Sequence, residues 1–409
     1  MPPPELQRDA VYAIALAARG LLSDIPLRTS VTSSVVAALL RGEMKGIWII
    51  LLGCFLGLTG CMTSNASTNK NAVWLKGWDS FRDFQFSTLP DGGGLVFTSP
   101  ETEAPFAWDE LVVSWNVEAP AGSVVRVEAR AIDGTNSTRF YKIADWTPDN
   151  VAEPRRSPRR EQDDHAVLKT DTLVLKAPAR AAQVRLTLVN GVTGGATLKY
   201  VTLSFRRSGE FAADPGISAD VKGKSLEVPE KSQIAYPGGA GWCSPTSVSM
   251  VLNYWSGKLG RTDLAKDVPE VAQSVFDENY NGTGNWPFNA AYAGAFPGMR
   301  ACITRFDGFA DLEAWLRKGL PVVISAPANL LNDNPKTSAA GHLVVFTGFT
   351  ENGDVVINDP WARLEKGQRV HRVYPREDVR KAWSKSGRTV YLIYPVGSEL
   401  PPGGEGKWR

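Results

Sequence analysis

The residues most suited to chemistry are Gly241-Trp242-Cys243-Ser244-Pro245-Thr246-Ser247, at the head of an apolar helical pattern. Val248, Val251, Leu252 and Trp255 fall at i, i+3, i+4 and i+7, which predicts a helix over Ser244–Trp255 with Cys243 at its start. Pro245 suits a first turn, where the N–H groups have no helical acceptor anyway. A thiol at that end feels the positive pole of the helix dipole, which favours the thiolate, the reactive form. Glycines at 238, 239 and 241 let a substrate approach the backbone closely. The alternative is a buried, inert thiol.

A thiolate nucleophile needs a base, and the chain has only 3 histidines. His165 lies in a charged loop, and His371 stands in the alternating Val370-His371-Arg372-Val373, where a solvent-facing ring is the simple reading. His342 opens the apolar run Leu343–Phe349, and a second run ends at Val355-Val356-Ile357-Asn358-Asp359-Pro360. Asn352-Gly353 between them is a strong hairpin signal. In such a hairpin the start of one strand faces the end of the other, so Asp359 falls beside His342 and fixes its tautomer.

These elements belong to the second of two textures. From Trp74 to Arg207 the chain shows short β segments between turn signals: Glu110–Val117, Val124–Ile132, Asp171–Leu175, Val184–Leu188 and Lys199–Phe205. They predict an antiparallel β-sandwich of jelly-roll-like type over 74–207. Residues 208–224, rich in Gly, Asp and Ser, predict a linker. The mixed α/β texture of 225–396 adds a helix at Phe309–Lys318 and strands at Pro321–Ser325 and Thr389–Tyr394, and 397–409 form a tail. Cys302, with apolar neighbours, reads as core.

Composition sets outer bounds. At 43% hydrophobic, 22% charged and net charge +2, the chain has no concentrated basic face for nucleic acid. Its densest basic run, Arg155, Arg156, Arg159 and Arg160, sits among prolines and acids and reads as a solvated loop. The 4 cysteines form no C-x-x-C pair, and no zinc-site spacing or disulfide framework is expected.

Met44-Lys45 opens an apolar run from Ile47 to Leu58, a dozen residues, which suits a signal-peptide core over 44–60 better than a membrane span. Its ending, Leu58-Thr59-Gly60-Cys61, resembles the bacterial lipobox, which implies lipidation of Cys61, loss of Cys54 with the signal, and a tether over 61–73. The expected home is the bacterial cell envelope, with the membrane as partner through the lipid. Residues 1–43, upstream of a complete signal, are expected to be a non-native or disordered extension, with Met44 the true start.

Gly-Trp-Cys-Ser-Pro-Thr-Ser before an apolar helix, Gly341-His342 before a strand, and Asn358-Asp359-Pro360 together resemble the C39-like peptidases of the papain-like clan, over about 225–396. The resemblance also takes in Gly284-Asn285-Trp286-Pro287-Phe288 and Ala382-Trp383. It implies an α+β papain-like cysteine peptidase fold with Cys243 as nucleophile, His342 as base and Asp359 as orienting carboxylate. It further implies an oxyanion-donating glutamine, which falls on Gln233 in Val228-Pro229-Glu230-Lys231-Ser232-Gln233. Many members have Gly where this chain has Ser244. The chemistry implied is acyl transfer on a peptide or amide, cell-wall material included, without metal or organic cofactor. The readings from other classes are a non-catalytic envelope protein binding peptide or glycan, and an acyltransferase.

Overall fold

The computed structural model describes residues 70–408, apart from 91–92, 150–153, 190–195, 332–340 and 404–405. The expectations for the upstream extension, the signal and Cys61 lie outside those residues. The described residues fall in one compact unit, made of an N-terminal β-rich domain and a C-terminal domain.

The N-terminal domain contributes β1 (Ala72–Trp78), β2 (Gln85–Thr88), β3 (Gly94–Thr98), β4 (Thr102–Glu118), β5 (Val124–Asp133), β6 (Asn136–Ser137), β7 (Tyr141–Trp146), β8 (Ala166–Lys169), β9 (Thr172–Val189) and β10 (Thr197–Arg207). All their pairings are antiparallel, in the order β1-β10-β4-β9-β3-β2, with β5 and β8 also on β9. The sequence suggests separate strands at Asp171–Leu175 and Val184–Leu188, but one strand, β9, carries both. Pro178 between them is no break, because it falls where the β4–β9 register shifts, between the Trp108↔Ala179 and Glu110↔Val174 pairs.

The C-terminal domain runs α1 (Cys243–Leu259), α2 (Val268–Val275), α3 (Trp286–Ala295), β11 (Met299–Arg305), α4 (Phe309–Arg317), β12 (Val322–Ser325), α5 (Ala328–Leu331), β13 (Leu343–Phe349), β14 (Val355–Asn358), β15 (His371–Tyr374), α6 (Arg376–Lys385) and β16 (Thr389–Pro395). Its sheet is antiparallel in the order β11-β16-β12-β13-β14-β15. Helix α1 packs on β13 and β16 and buries more than the predicted stripe: Met250 and Ser249 are covered along with Val248, Val251, Leu252 and Trp255. It ends at Gly260, whose φ of 64° suits a residue without Cβ.

The two domains meet along the edge strand β11. Asn116 on β4 donates through Nδ2 to Ala301 O (2.8 Å) and accepts from Ala301 N (2.9 Å), and Ser114 Oγ accepts from Ile303 N (2.9 Å). Side chains of one domain thus satisfy the exposed edge of the other's sheet, which would otherwise invite strand pairing. Residues of α3 approach so closely that a Cβ on Gly294 would lie 2.2 Å from the Asn116 side chain. Residues 208–224 run between the domains as an ordered strap: Asp214 pairs with buried Arg388 (2.7 Å), and Asp220 pairs with Arg317 (2.7 Å).

The basic run needs a correction. Arg156, Arg159 and Arg160 are exposed as expected, but Arg155 is buried. Its guanidinium donates to Thr147 O (2.8 Å) and, across the seam, to Gln273 O on α2 (2.6 Å). Burial lowers it to about 10, still well above neutral pH, so it stays charged. Local composition shows charge beside proline and cannot show the carbonyls that a distant helix brings to it.

Candidate active site

Cys243 is the first residue of α1, after Trp242 in the N-cap position, and no side chain caps that end. The turn before it is tightly built. Gly238 takes φ 79°, and a Cβ on Gly239 would lie 1.9 Å from Gln233 O. Thr283 Oγ1 donates to Gly241 O (2.9 Å), Ser244 Oγ bonds Tyr391 Oη (2.9 Å), and Ser247 Oγ donates to Leu343 O (3.1 Å). These contacts fix the helix start against β13 and β16, and with it the direction of the Cys243 side chain.

His342 lies immediately before β13, buried, with Nε2 2.8 Å from Asp359 Oδ1. The ring also acts on the Cys243 thiol, and with Nε2 taken by Asp359 it is Nδ1 that is left to serve the sulfur. Asp359 is buried and held on every side. Tyr374 Oη donates to Oδ2 (2.5 Å), Trp361 N–H donates to Oδ1 (2.8 Å), and Arg372 Nη1 stands 3.4 Å from Oδ2.

The predicted hairpin forms, with Gly353 at φ 86° and Gly353 N–H donating to Thr350 O (2.9 Å). Its register contains a step invisible in the sequence. Near the turn Phe349 pairs Val355 and Gly348 pairs Val356, but beyond a bulge at Thr347, Phe346 pairs Ile357 and Val345 pairs Asn358. Continuing the second register places Asp359 opposite Val344, on the face that His342 shares. An unbroken ladder in the first register would place Asp359 opposite Val345 and turn it to the other face. The bulge lies where the chain after the strap crosses: Leu226 N–H donates to Thr347 O (2.8 Å), and a Cβ on Gly348 would lie 2.0 Å from Lys224 O.

Burial acts first on all three groups and is outweighed in each. It pushes the Cys243 thiol up, but the hydrogen bond and charge of His342, with the Leu343 and Ser244 N–H groups, leave it below its ordinary value. It pushes His342 down, but the charge and hydrogen bond of Asp359, with Cys243, hold it above the usual imidazole range. It pushes Asp359 up, but His342, Tyr374 and the Trp361 N–H hold it well below the usual carboxylate range. The combination favours a thiolate beside an imidazolium.

Gln233 begins a short 3-10 turn and is buried at the same cleft. Its Nε2 donates to Gly239 O (2.9 Å) and Ala240 O (3.0 Å), while Oε1 has no protein partner. His165 is exposed, and His371 is half-buried with Nδ1 2.9 Å from Asn358 Oδ1; neither lines the cleft. Cys302 is core, and burial pushes its thiol up to about 12.

The cleft has a volume of about 1030 Å³ and reaches the seam between the domains. Cys243, His342 and Gln233 line it together with Tyr280 and Trp361, two aromatic residues that are 50% and 38% exposed. Thr170, Asp171, Glu110 and Arg206 of the β-rich domain line it too. Sequence reading missed this contribution. Nothing in the β8–β9 turn marks it, although Thr170 there takes φ 57°, a conformation unusual for threonine. Tyr374 and Arg372 were also missed as supports of Asp359, since an alternating strand looks the same whether or not a carboxylate waits beside it.

Residues 225–391 match the model of the Peptidase_C39 like family, and residues 95–205 match that of the Peptidase C39 N-terminal domain. The C-terminal domain thus belongs to the C39-like peptidase family, and the β-rich domain matches a domain that precedes it in such proteins. A crystal structure of a protein described as a C39-like peptidase from Bacillus anthracis is similar at 20% identity over 43% of this chain and 99% of that one, with a TM-score of 0.33. A crystal structure of vicilin from Corylus avellana (hazelnut) aligns at 9% identity over 78% of this chain and 84% of that one, with a TM-score of 0.10. At those scores neither likeness bears on the chemistry of the cleft, and no curated protein matches the chain.

Proposed function

We propose that the chain is a cysteine peptidase or amidohydrolase of the bacterial cell envelope, with Cys243 as nucleophile. The observation that carries the reading is the line from the Cys243 thiol through the His342 ring to Asp359, closed by the 2.8 Å contact between Nε2 and Oδ1. The Cys243 thiolate attacks the carbonyl carbon, and the carbonyl π electrons move to oxygen. The oxyanion is met by the Cys243 N–H, free of any helical acceptor at the first position of α1, and by Gln233. For Gln233 to serve, one of its two bonds to the Gly239 and Ala240 carbonyls exchanges for the substrate oxygen. As the C–N bond breaks, His342 gives its proton to the leaving amine, and the resulting thioester is hydrolysed by a water that His342 deprotonates. Asp359 keeps the imidazole in the tautomer that this requires.

The same reading takes the C-terminal fold as papain-like and the N-terminal domain as a jelly-roll-like sandwich in which β9 serves more than one set of partners. It places the protein outside the cytoplasm, lipid-anchored through Cys61, with peptide or amide substrates, cell-wall stems included. The test is the rate of iodoacetamide labelling against pH for the full chain and for His342→Ala. Cys243 is expected to react as thiolate well below the ordinary thiol value of about 8.5, and the substitution is expected to return it there. Labelling with an ordinary thiol profile in the unaltered protein sinks the peptidase reading and leaves a protein that binds peptide or glycan in the cleft.

A further inference from the structure

The lining of the cleft carries an unbalanced charge. Among the described residues lining it, five are basic (Lys169, Arg206, Arg305, Arg363, Lys385) and two are acidic (Glu110, Asp171). Arg305, the last residue of β11, is 4% exposed. Its Nη2 meets Glu110 Oε2 at 2.8 Å, whereas its Nε and Nη1 have no protein partner. Arg206 on β10 shares that same Glu110 oxygen at 3.0 Å, so one carboxylate serves two guanidiniums. Burial lowers Arg305 to about 10 in spite of Glu110, which leaves it a full cation at neutral pH.

The other acid is turned elsewhere and makes no hydrogen bond to Arg305. Asp171 takes Trp286 N–H (2.9 Å) on one oxygen and the Thr172 hydroxyl (3.1 Å) on the other. Gly387 packs close to the guanidiniums without crowding them: a Cβ there would lie 2.9 Å from Arg206 Nη1 and 3.0 Å from Arg305 Nε. A buried cation with unmet N–H donors is costly unless an acceptor arrives from outside.

We infer that Arg305 and Arg206 form a carboxylate-binding subsite at the domain seam, so that the cleft selects peptides presenting a carboxylate there, from a C-terminus or an acidic side chain. The subsite joins Arg305 of the C-terminal domain to Arg206 of the β-rich domain, which gives the β-rich domain a part in choosing substrate. It rests on the peptidase reading only for the bond that is cut; the anion site stands on its own geometry.

The binding test uses the full chain carrying Cys243→Ala, with acetate as probe and the Nε–H resonance of Arg305 as readout. That resonance is assigned by its loss in Arg305→Lys or, if that chain does not fold, by side-chain to backbone correlations in the parent. Acetate is expected to shift it saturably in the millimolar range, chloride at equal ionic strength to leave it in place, and Arg206→Gln to weaken acetate several-fold. A resonance that ignores acetate, or answers chloride equally, overturns the subsite whether or not the protein is a peptidase. In the Cys243 protein, paired peptides separate the two sources of carboxylate. A C-terminal acid cut roughly 10-fold or more faster than its amide points to the terminus, and a similar gap between Glu and Gln peptides points to the side chain. Equal rates across both pairs overturn the inference even where hydrolysis is observed.

Discussion

Cys243 and Cys302 lie in one domain, and both feel burial, yet their thiols shift in opposite directions. Cys302 is buried on β11, where burial dominates and only the charge of Arg300 opposes it. Cys243 stands at the open end of α1, where the His342 ring and two backbone N–H groups reach its sulfur. The difference lies in what surrounds an otherwise identical side chain. A thiol becomes reactive where a counter-charge has been brought to it, and that charge must itself be anchored, here by Asp359 and its own three partners.

The largest test of that contrast is to remove each sulfur in turn. Cys243→Ala is expected to lower peptide hydrolysis by about 10³-fold or more, while Cys302→Ala leaves the rate within about twofold. A thioester-linked acyl adduct, seen by mass spectrometry in the unaltered protein and missing in Cys243→Ala, would locate the chemistry. The rate should rise with pH as the Cys243 thiol ionises below its ordinary value. It should fall again as His342 deprotonates above its ordinary value of about 6.5.

Cutting the anchor rather than the proposed nucleophile should cost less. Asp359→Asn is expected to lower kcat/KM by about 10²–10⁴-fold. Stability moves with it, because a buried charge network loses its carboxylate, at a cost of about 3–5 kcal/mol at neutral pH. Asp359 is held below its unfolded value, so its contribution is present above about pH 4 and fades as pH falls further. Denaturant melts of the two chains should therefore converge in acid. Parallel curves would show that the carboxylate does not act through its charge.

Asp171 offers the opposite sign from the β-rich side of the cleft. Burial raises its carboxyl to about 6, against the bonds from Trp286 N–H and the Thr172 hydroxyl that favour the ionised form. A raised carboxyl stabilises the fold below the unfolded value of about 4, and this contribution is lost as pH rises toward 6. The unaltered chain should lose roughly 3 kcal/mol relative to Asp171→Asn between those limits. A pH-independent difference would mean that water reaches Asp171.

The smallest effect belongs to the passive thiol. Cys302→Ala should cost about 1 kcal/mol in a chemical melt through the small void it leaves, with the labelling profile of Cys243 unchanged. A shift in that profile would mean that β11 and α1 are coupled, and the two cysteine regions could no longer be treated as independent.

What the sequence determined by itself was local. The stripe Val248, Val251, Leu252, Trp255 is a helix periodicity, Cys243 at its head is a matter of chain order, and Asn352-Gly353 is a turn that brings His342 near Asp359. Each signal lies within about 20 residues and survives without knowledge of the rest of the chain. The tertiary structure decided the rest. The bulge at Thr347 sets which face Asp359 shares, and one residue of slip would reverse it. The Gln273 carbonyl that holds Arg155, and the seam where Arg206 and Arg305 share Glu110, also come from packing. Glu110 and Arg305 are 195 positions apart, and the contact that joins them follows no period of helix or strand. Only the docking of β4 along the edge of β11 brings them together, and that docking depends on shapes and hydrogen bonds that exist once both domains have formed.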